Sequence, residues 1–245
     1  IPERQAAWEA ALQKTNRWLP VEVTSAETDK ETKLELQDDG SLLATGTNEK
    51  ATYTVKLKTE VENITALRLE ALTDDRLPSK GPGRPANGNF VVSEFSVSIQ
   101  NPAGEGELQK VKLVSPSATF NQQGYAVGMA IDGNPNTGWA ISPEVGKNQT
   151  AVFQTDGQVG LKGGSLLTVT ILNNHADNMH QLGKFRISVS DSPRPVTLNT
   201  LPADLAALLK VPAAERNDDQ KAALRAKYLE TDREYKELAD VVAAA

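Results

Sequence analysis

The sequence predicts an all-β fold, a sandwich or jelly roll with a short N-terminal helix and a helical C-terminal tail. Between residues 21 and 190, short runs rich in Val, Leu, Ile and Thr alternate with turn residues. This spacing is typical of antiparallel sandwiches rather than parallel α/β sheets. We predict strands at 21–24, 33–37, 41–45, 51–57, 64–71, 90–99, 109–119, 150–154, 166–172 and 184–190.

One hairpin is predicted by its turn. Asp39-Gly40 separates the leucine-containing runs 33–37 and 41–45. An Asp-Gly pair accepts the positive φ angles of a tight hairpin turn, so we expect these two strands to pair.

Helical patterns occur only near the two ends of the chain. Residues 2–15 place Trp8 and Leu12 on one face, and Pro20 prevents continuation. After Pro195 the chain predicts helices at 202–210 and 217–230, with capping boxes at Asn217/Gln220 and Thr231/Glu234 and apolar Leu238, Val241 and Val242 beyond them. We therefore divide the chain into an N-terminal helix and lead-in at 1–20, a β-sandwich at 21–197 and a helical extension at 198–245. The extension is expected to connect to a neighbouring domain or to fold back on the sandwich together with the N-terminal helix.

Composition excludes several classes of function. The chain of 245 residues has a formal net charge of −6, which gives no basic field for nucleic acid or anionic lipid. No apolar run approaches the roughly 18 residues of a membrane span. Because cysteine is absent, disulfides, Cys-ligated zinc, attached haem and a Cys nucleophile are excluded. The start at Ile1 without Met leads us to expect a processed or excised piece of a longer protein.

The most informative segment is Ala130–Ile141, AIDGNPNTGWAI. Asp132, Asn134 and Thr137 gather oxygen donors in one tight loop, and calcium prefers six to eight oxygen ligands. The alternative is an ordinary turn in which Asp132 caps its own backbone. Trp139 is expected in the core, where its indole N–H needs one partner.

Two further loops carry polar side chains that suit a ligand. The segment 73–89 offers Arg84, Asn87 and Asn89. Its stretch 80–85 is expected to be an exposed turn, and a ligand-binding loop is the alternative.

The segment NNHADNMHQLG begins at Asn173 and holds His175 and His180, whose spacing excludes a zincin helix. These histidines with Asp177 could bind a transition metal, and the alternative is a solvated loop. Arg186, on the following strand, is expected to face away from its apolar neighbours and to line the same face as these loops. A strand carboxylate such as Glu70 is a candidate partner whose pairing the sequence does not specify.

Catalysis finds little support in the sequence. Adjacent acidic pairs such as Asp74-Asp75 do not place two carboxyls across a cleft, as a glycosidase requires. No Gly-x-Ser-x-Gly elbow occurs and only two histidines are present. We predict that the chain is not an enzyme.

Five segments carry a family resemblance: ITALRLEAL (64–72), LPSKGPGRPANGNFVVSEFSV (77–97), AIDGNPNTGWAI (130–141), LGKFRISVS (182–190) and AAERNDDQKAALRAKYLETD (213–232). They resemble large secreted proteins of planctomycetes and their relatives, which join a cytochrome c-type haem domain to two uncharacterised domains. The resemblance implies a place between those two domains, neighbouring domains as partners, and export to the periplasm, the cell surface or beyond. The haem-attachment motif is absent here, so no haem activity is implied.

The order Asp-Gly-Asn-x-x-Thr-x-Trp also resembles discoidin, or coagulation factor 5/8 C-type, domains and related galactose-binding-like modules. That resemblance implies a galactose-binding-like jelly roll with a structural calcium held by Asp132, Asn134 and Thr137. The strand glutamate of the family matches Glu94 in VVSEFSV. Here the glutamate strand precedes the loop instead of closing the domain. Either the strands are circularly permuted, or Glu94 resembles the ligand only in sequence.

Together these observations predict a non-catalytic carbohydrate-binding module. Calcium would stiffen the 130–139 loop, while Arg84, Asn87, Asn89, Asn173, His175, His180 and Arg186 would offer polar groups to a polysaccharide or glycan. Aromatic residues make up only 5% of the chain, which favours polar binding of a chain end or an anionic glycan over stacking on crystalline cellulose. The alternative is a scaffold domain that positions its neighbours and binds no ligand.

Overall fold

The computed structural model describes residues 2–12, 17–177, 179–198 and 203–232. The chain forms two compact units. One unit consists of the N-terminal and C-terminal segments, and the other spans Trp18–Leu198.

The larger unit is a sandwich of two antiparallel sheets, which confirms the all-β prediction. Its strands are Leu19–Pro20 (β1), Glu22–Thr28 (β2), Lys33–Leu36 (β3), Leu42–Thr45 (β4), Ala51–Thr59 (β5), Ile64–Ala71 (β6), Glu94–Gln100 (β7), Gln109–Val111 (β8), Leu113–Ala118 (β9), Gln149–Val159 (β10), Ser165–Asn173 (β11) and Lys184–Ser190 (β12). One sheet has the order β3-β4-β12-β6-β10-β9, with β1 also paired to β12. The other has the order β2-β5-β11-β7-β8.

Alternating burial along the strands builds the core between the sheets. In β5 the inward side chains Tyr53, Val55 and Leu57 are at most 1% exposed, while the residues between them face outwards. Across the sandwich, Phe95 of β7 stacks on Phe153 of β10 with ring centroids 4.7 Å apart. Such rings bury a large apolar area, so they hold the two sheets face to face.

The predicted hairpin at Asp39-Gly40 is confirmed. β3 pairs antiparallel with β4, and Gly40 takes a φ of 76°, which glycine adopts without strain. The backbone N–H of Gln37 donates to the carbonyl of Ser41 at 2.8 Å and closes the turn.

Two predicted strand boundaries differ from the structure. The predicted strand 90–99 enters the sheet only at Glu94, because Val91 and Val92 bond to His180 and Trp139 in the loops instead. The predicted strand 109–119 is two strands, with the break at Lys112.

The smaller unit contains the helices Pro2–Leu12 (α1), Ala203–Lys210 (α2) and Asp218–Leu229 (α3). The capping box of Asn217 and Gln220 is present at the start of α3 and confirms that prediction. Trp8 contacts Tyr228 edge to face at 5.6 Å. Residues 233–245, and with them the second predicted capping box and the apolar residues at 238, 241 and 242, lie outside the described residues. No helix among the described residues has the length and apolar character needed to cross a membrane.

Candidate functional site

Three loop segments meet at one end of the sandwich, and we call them together the loop edge: residues 78–93, 121–139 and 174–183. The first and third segments join where the N–H of Val91 donates to the carbonyl of His180 at 2.9 Å. The first and second join through two backbone hydrogen bonds between Val92 and Trp139. Trp139 itself is fully buried, and its indole N–H donates to the carbonyl of Phe120 at 2.9 Å, as predicted for a core residue.

The first segment is packed into the fold at its centre. Gly81, Pro82, Gly83 and Pro85 are buried, so the prediction of an exposed turn is wrong for this stretch. A Cβ on Gly83 would lie 1.6 Å from the carbonyl oxygen of Asn89. Glycine is therefore required here for close approach of two backbone segments.

The guanidinium of Arg84 is hydrogen-bonded within the protein. It donates to the carbonyls of Thr47 and Gly46 and to the side-chain oxygen of Gln181. Burial lowers the pKa of Arg84, and the nearby Tyr53 hydroxyl opposes that effect. This arginine holds two loops together and has few donors left for a ligand.

Two of the predicted site amides are also committed inside the fold. Asn89 is 5% exposed, and its side-chain oxygen accepts from the N–H of Ile141 at 3.0 Å while its nitrogen donates to Gln122. Asn173 is 2% exposed, and its oxygen accepts from the N–H of Leu182 at 2.9 Å. Buried amides satisfied in this way stabilise loops rather than bind ligands.

Arg186 lies on the outer face of its sheet, where β12 pairs it with Glu70. The two side chains form a two-pronged ion pair, with Nε 2.9 Å from Oε2 and Nη2 3.2 Å from Oε1. The hydrogen bonds that Arg186 donates to Glu70 raise the pKa of Arg186. Arg186 lines a groove with Trp18 and Asp39, which is not part of the loop edge.

Oxygen atoms crowd around the hydroxyl of Thr137. Its Oγ1 lies 3.0 and 2.9 Å from the two carboxylate oxygens of Asp132, 2.9 Å from the carbonyl of Asn134 and 3.5 Å from the carbonyl of Met129. A hydroxyl has one proton to donate, so it satisfies one of these four acceptors. Two backbone donors also reach the cluster: the N–H of Asn134 donates to Oδ1 of Asp132 at 2.8 Å, and the N–H of Thr137 donates to the carbonyl of Asn134 at 3.1 Å. Asp132 therefore caps its own loop, as the alternative interpretation of this segment predicts.

Glu94, at the start of β7, faces this cluster. Its Oε1 is buried, and among the described residues no hydrogen-bond donor reaches it. Burial raises the pKa of Glu94, and the Asp132 carboxylate raises it further, while the backbone N–H groups of Gly133 and Asn134 partly offset the effect. Two neighbouring carboxyls, one of them with an unsatisfied buried oxygen, form a set that fits a hard cation.

The two histidines flank one carboxylate in the third segment. Nδ1 of His175 lies 2.9 Å from Oδ1 of Asp177, and Nδ1 of His180 lies 2.6 Å from Oδ2. Burial opposes ionisation of Asp177, but the hydrogen bond from His175 and the adjacent His180 hold its pKa well below the usual range. The outer nitrogens contact Tyr125 OH and Asn87 Nδ2, each at 3.4 Å.

A cleft of about 200 Å³ lies between the oxygen cluster and the histidines. Its polar walls come from Lys50, Ser93, Tyr125, Asn136, Thr137, Asn174 and His175. Val91 and Ala176 add apolar contact area. The cleft therefore combines several donors and acceptors with a small apolar surface.

The structure brings together some predicted site residues and separates others. His175 and Thr137 line the cleft, while Asn87 and His180 lie in contact beside it. Lys50 and Tyr125 were missed, because each is a single polar residue with no motif around it. Scans against models of known protein families and against curated proteins find no match to this chain.

Proposed function

We propose that residues 18–198 form a non-catalytic carbohydrate-binding module of the galactose-binding-like jelly-roll type. The cleft between residues 136–137 and 174–176 would bind one sugar unit of a polysaccharide or glycan. The single observation that carries this proposal is the small polar cleft at the loop edge. The three segments of the loop edge build it together with Lys50, which directly precedes β5, and the sandwich beneath holds them in place.

The size and chemistry of the cleft support a single sugar ring. Clefts for drug-sized ligands measure roughly 300–1,000 Å³, so a volume of about 200 Å³ suits one small polar unit. Asn136 and Asn174 offer both donors and acceptors to hydroxyl groups. Tyr125 supplies a ring with a polar tip, and Lys50 supplies a positive charge for a carboxylate or sulfate on the sugar.

We propose further that calcium fills the oxygen cluster. Glu94, Asp132 and Thr137 would provide side-chain oxygens, and the carbonyls of Met129 and Asn134 would complete most of a coordination shell. Bound calcium would neutralise the carboxylates and satisfy the buried Oε1 of Glu94. Its effect on sugar binding would be to fix the wall of the cleft that Thr137 belongs to.

The experiment compares retention on a panel of polysaccharides, and binding on a glycan array, for the full chain and two lysine variants. Lys50→Ala, at the cleft, should reduce binding to an anionic glycan by about tenfold. Lys162→Ala is the matched control, because this exposed lysine precedes β11 at the end opposite Asn173 and should change nothing.

Two results would contradict the carbohydrate proposal. Equal loss of binding in both variants would place the interaction outside the cleft. Uniform failure of the unaltered chain to bind any polysaccharide or glycan would favour the scaffold alternative, in which the module positions neighbouring domains of a longer protein.

A further inference from the structure

We propose that His175, Asp177 and His180 form a binding site for a divalent transition metal, with zinc as the reference ion. Their candidate ligand atoms all lie within 4.8 Å of one another. The site belongs to one short segment between β11 and β12. It is separate from the oxygen cluster, and the proposal is independent of sugar binding.

The ligand set points to a transition metal rather than to calcium. Two imidazole nitrogens and one carboxylate oxygen are ligands that zinc, copper and nickel accept, whereas calcium takes oxygen donors. Three protein ligands leave a fourth position open to water or another small ligand. His175 also lines the adjacent cleft, so the open position adjoins that space.

A buried nitrogen provides the second observation. Nδ1 of His180 lies 2.6 Å from Asp177 Oδ2, yet it is not aligned for a hydrogen bond, and among the described residues it has no other partner. A buried ring nitrogen without a hydrogen bond is costly. A metal ion bound to this nitrogen and to the carboxylate would remove that cost.

The two histidine–aspartate distances require only a small adjustment. Metal–ligand bonds of about 2.0–2.2 Å in a tetrahedral site separate neighbouring ligand atoms by roughly 3.3 Å. The observed 2.6 and 2.9 Å contacts would therefore open by roughly half an ångström. Asp177 is 39% exposed, so its side chain has room to move.

The surrounding contacts hold the two imidazoles in place. Nε2 of His175 contacts the Tyr125 hydroxyl, which can accept its proton, as the second nitrogen of a metal-bound histidine commonly requires. Nε2 of His180 lies 3.4 Å from the amide nitrogen of Asn87. The carbonyl of His180 accepts from Val91, and this bond fixes the backbone of the segment. The site is thus largely formed before any ion binds.

The test uses the chain without a histidine tag and with calcium in excess to fill the oxygen cluster. Because the sequence contains only two histidines, imidazole signals report this site alone. We expect one zinc ion per chain by titration calorimetry, and nitrogen hyperfine splitting in the electron paramagnetic resonance spectrum of the copper-loaded chain. His175→Ala, His180→Ala and Asp177→Asn should each weaken zinc binding at least about tenfold.

Asp75→Asn is the matched control, since this carboxylate is 91% exposed and pairs with Lys80. It should bind zinc like the unaltered chain. Circular dichroism checks that each variant folds. Copper spectra of the unaltered chain without nitrogen splitting would overturn the proposal, and so would zinc affinity unchanged in folded His175→Ala and His180→Ala.

Discussion

The side-chain amide of Asn174 donates a hydrogen bond to the carbonyl oxygen of Pro135 at 3.0 Å. This bond links the loop that carries the oxygen cluster to the loop that carries His175 and Asp177. Asn174 lines the cleft, and Pro135 directly precedes Asn136, which also lines it. Ordering of one loop is therefore expected to order the other loop through this hydrogen bond.

Replacing Asn174 with alanine tests that link. Asn174→Ala should lower the free energy of unfolding by about 0.5–1.5 kcal/mol in urea denaturation, the usual net value of one hydrogen bond. In the unaltered chain, added calcium should slow hydrogen exchange in residues 175–182, and Asn174→Ala should lose that response. Asn101→Ala, beyond the far end of β7, should keep it. Equal protection by calcium in both variants would show that the hydrogen bond does not couple the loops.

Calcium removal should lower the melting temperature. An ion that binds only the folded state stabilises it by about 2.7 kcal/mol when its concentration is 100 times its dissociation constant. We expect the melting temperature of the unaltered chain to be higher in excess calcium than in EDTA. Asp132→Ala should abolish this difference. A midpoint that is the same in EDTA and in calcium would leave the ion without a structural role.

Glu94→Gln should change stability in opposite directions with and without calcium. Without the ion, the substitution removes a partly buried charge that Asp132 repels, so the variant should melt higher than the unaltered chain. With calcium, the variant lacks one anionic ligand and should melt lower. Thermal melts of both proteins under both conditions measure the crossover. A shift of the same sign in both conditions would contradict a cation role for Glu94.

Acid should destabilise the sandwich through Asp74. Hydrogen bonds from Arg76 and Lys184 lower the pKa of this carboxyl far below its ordinary value of 3.8. A lowered folded-state pKa means that the stabilisation is complete above the ordinary value and is lost as the pH falls through the lowered one. The free energy of unfolding of the unaltered chain should therefore fall between pH 5 and pH 2. Asp74→Asn should show a smaller fall over the same range.

At neutral pH the same Asp74→Asn substitution should lower the free energy of unfolding by about 1–2 kcal/mol, because the hydrogen bonds that Arg76 and Lys184 donate to this charged group are weakened. Urea unfolding across the pH range measures both effects. Asp75→Asn serves as the neighbouring control and should retain the acid dependence of the unaltered chain. If the free energy of unfolding of Asp74→Asn changed with pH in parallel with that of the unaltered chain, Asp74 would not be a source of the acid destabilisation.

Local patterns were enough to predict most of the secondary structure. Alternation of apolar residues marked β5, β6, β11 and β12 because a half-buried strand repeats every two residues. The Asp39-Gly40 turn and the Asn217 capping box were read correctly because the groups that form them lie within a few residues of each other. The oxygen donors Asp132, Asn134 and Thr137 were found for the same reason.

Only the tertiary structure determines which residues that are distant in sequence contact one another. Strand pairing places Arg186 opposite Glu70, a register that no local pattern specifies. Packing commits Arg84, Asn89 and Asn173 to internal hydrogen bonds, although the sequence presents them like free loop residues. Glu94 was matched to the oxygen cluster by family resemblance alone, and the fold sets it beside Asp132.

The chain order itself specifies periodicity, turns and caps, because these depend on groups a few bonds apart. The cleft exists only where segments from residues 50, 125, 136 and 175 converge. That convergence depends on which strands pair and how the two sheets face each other, and it results from burying one shared apolar core.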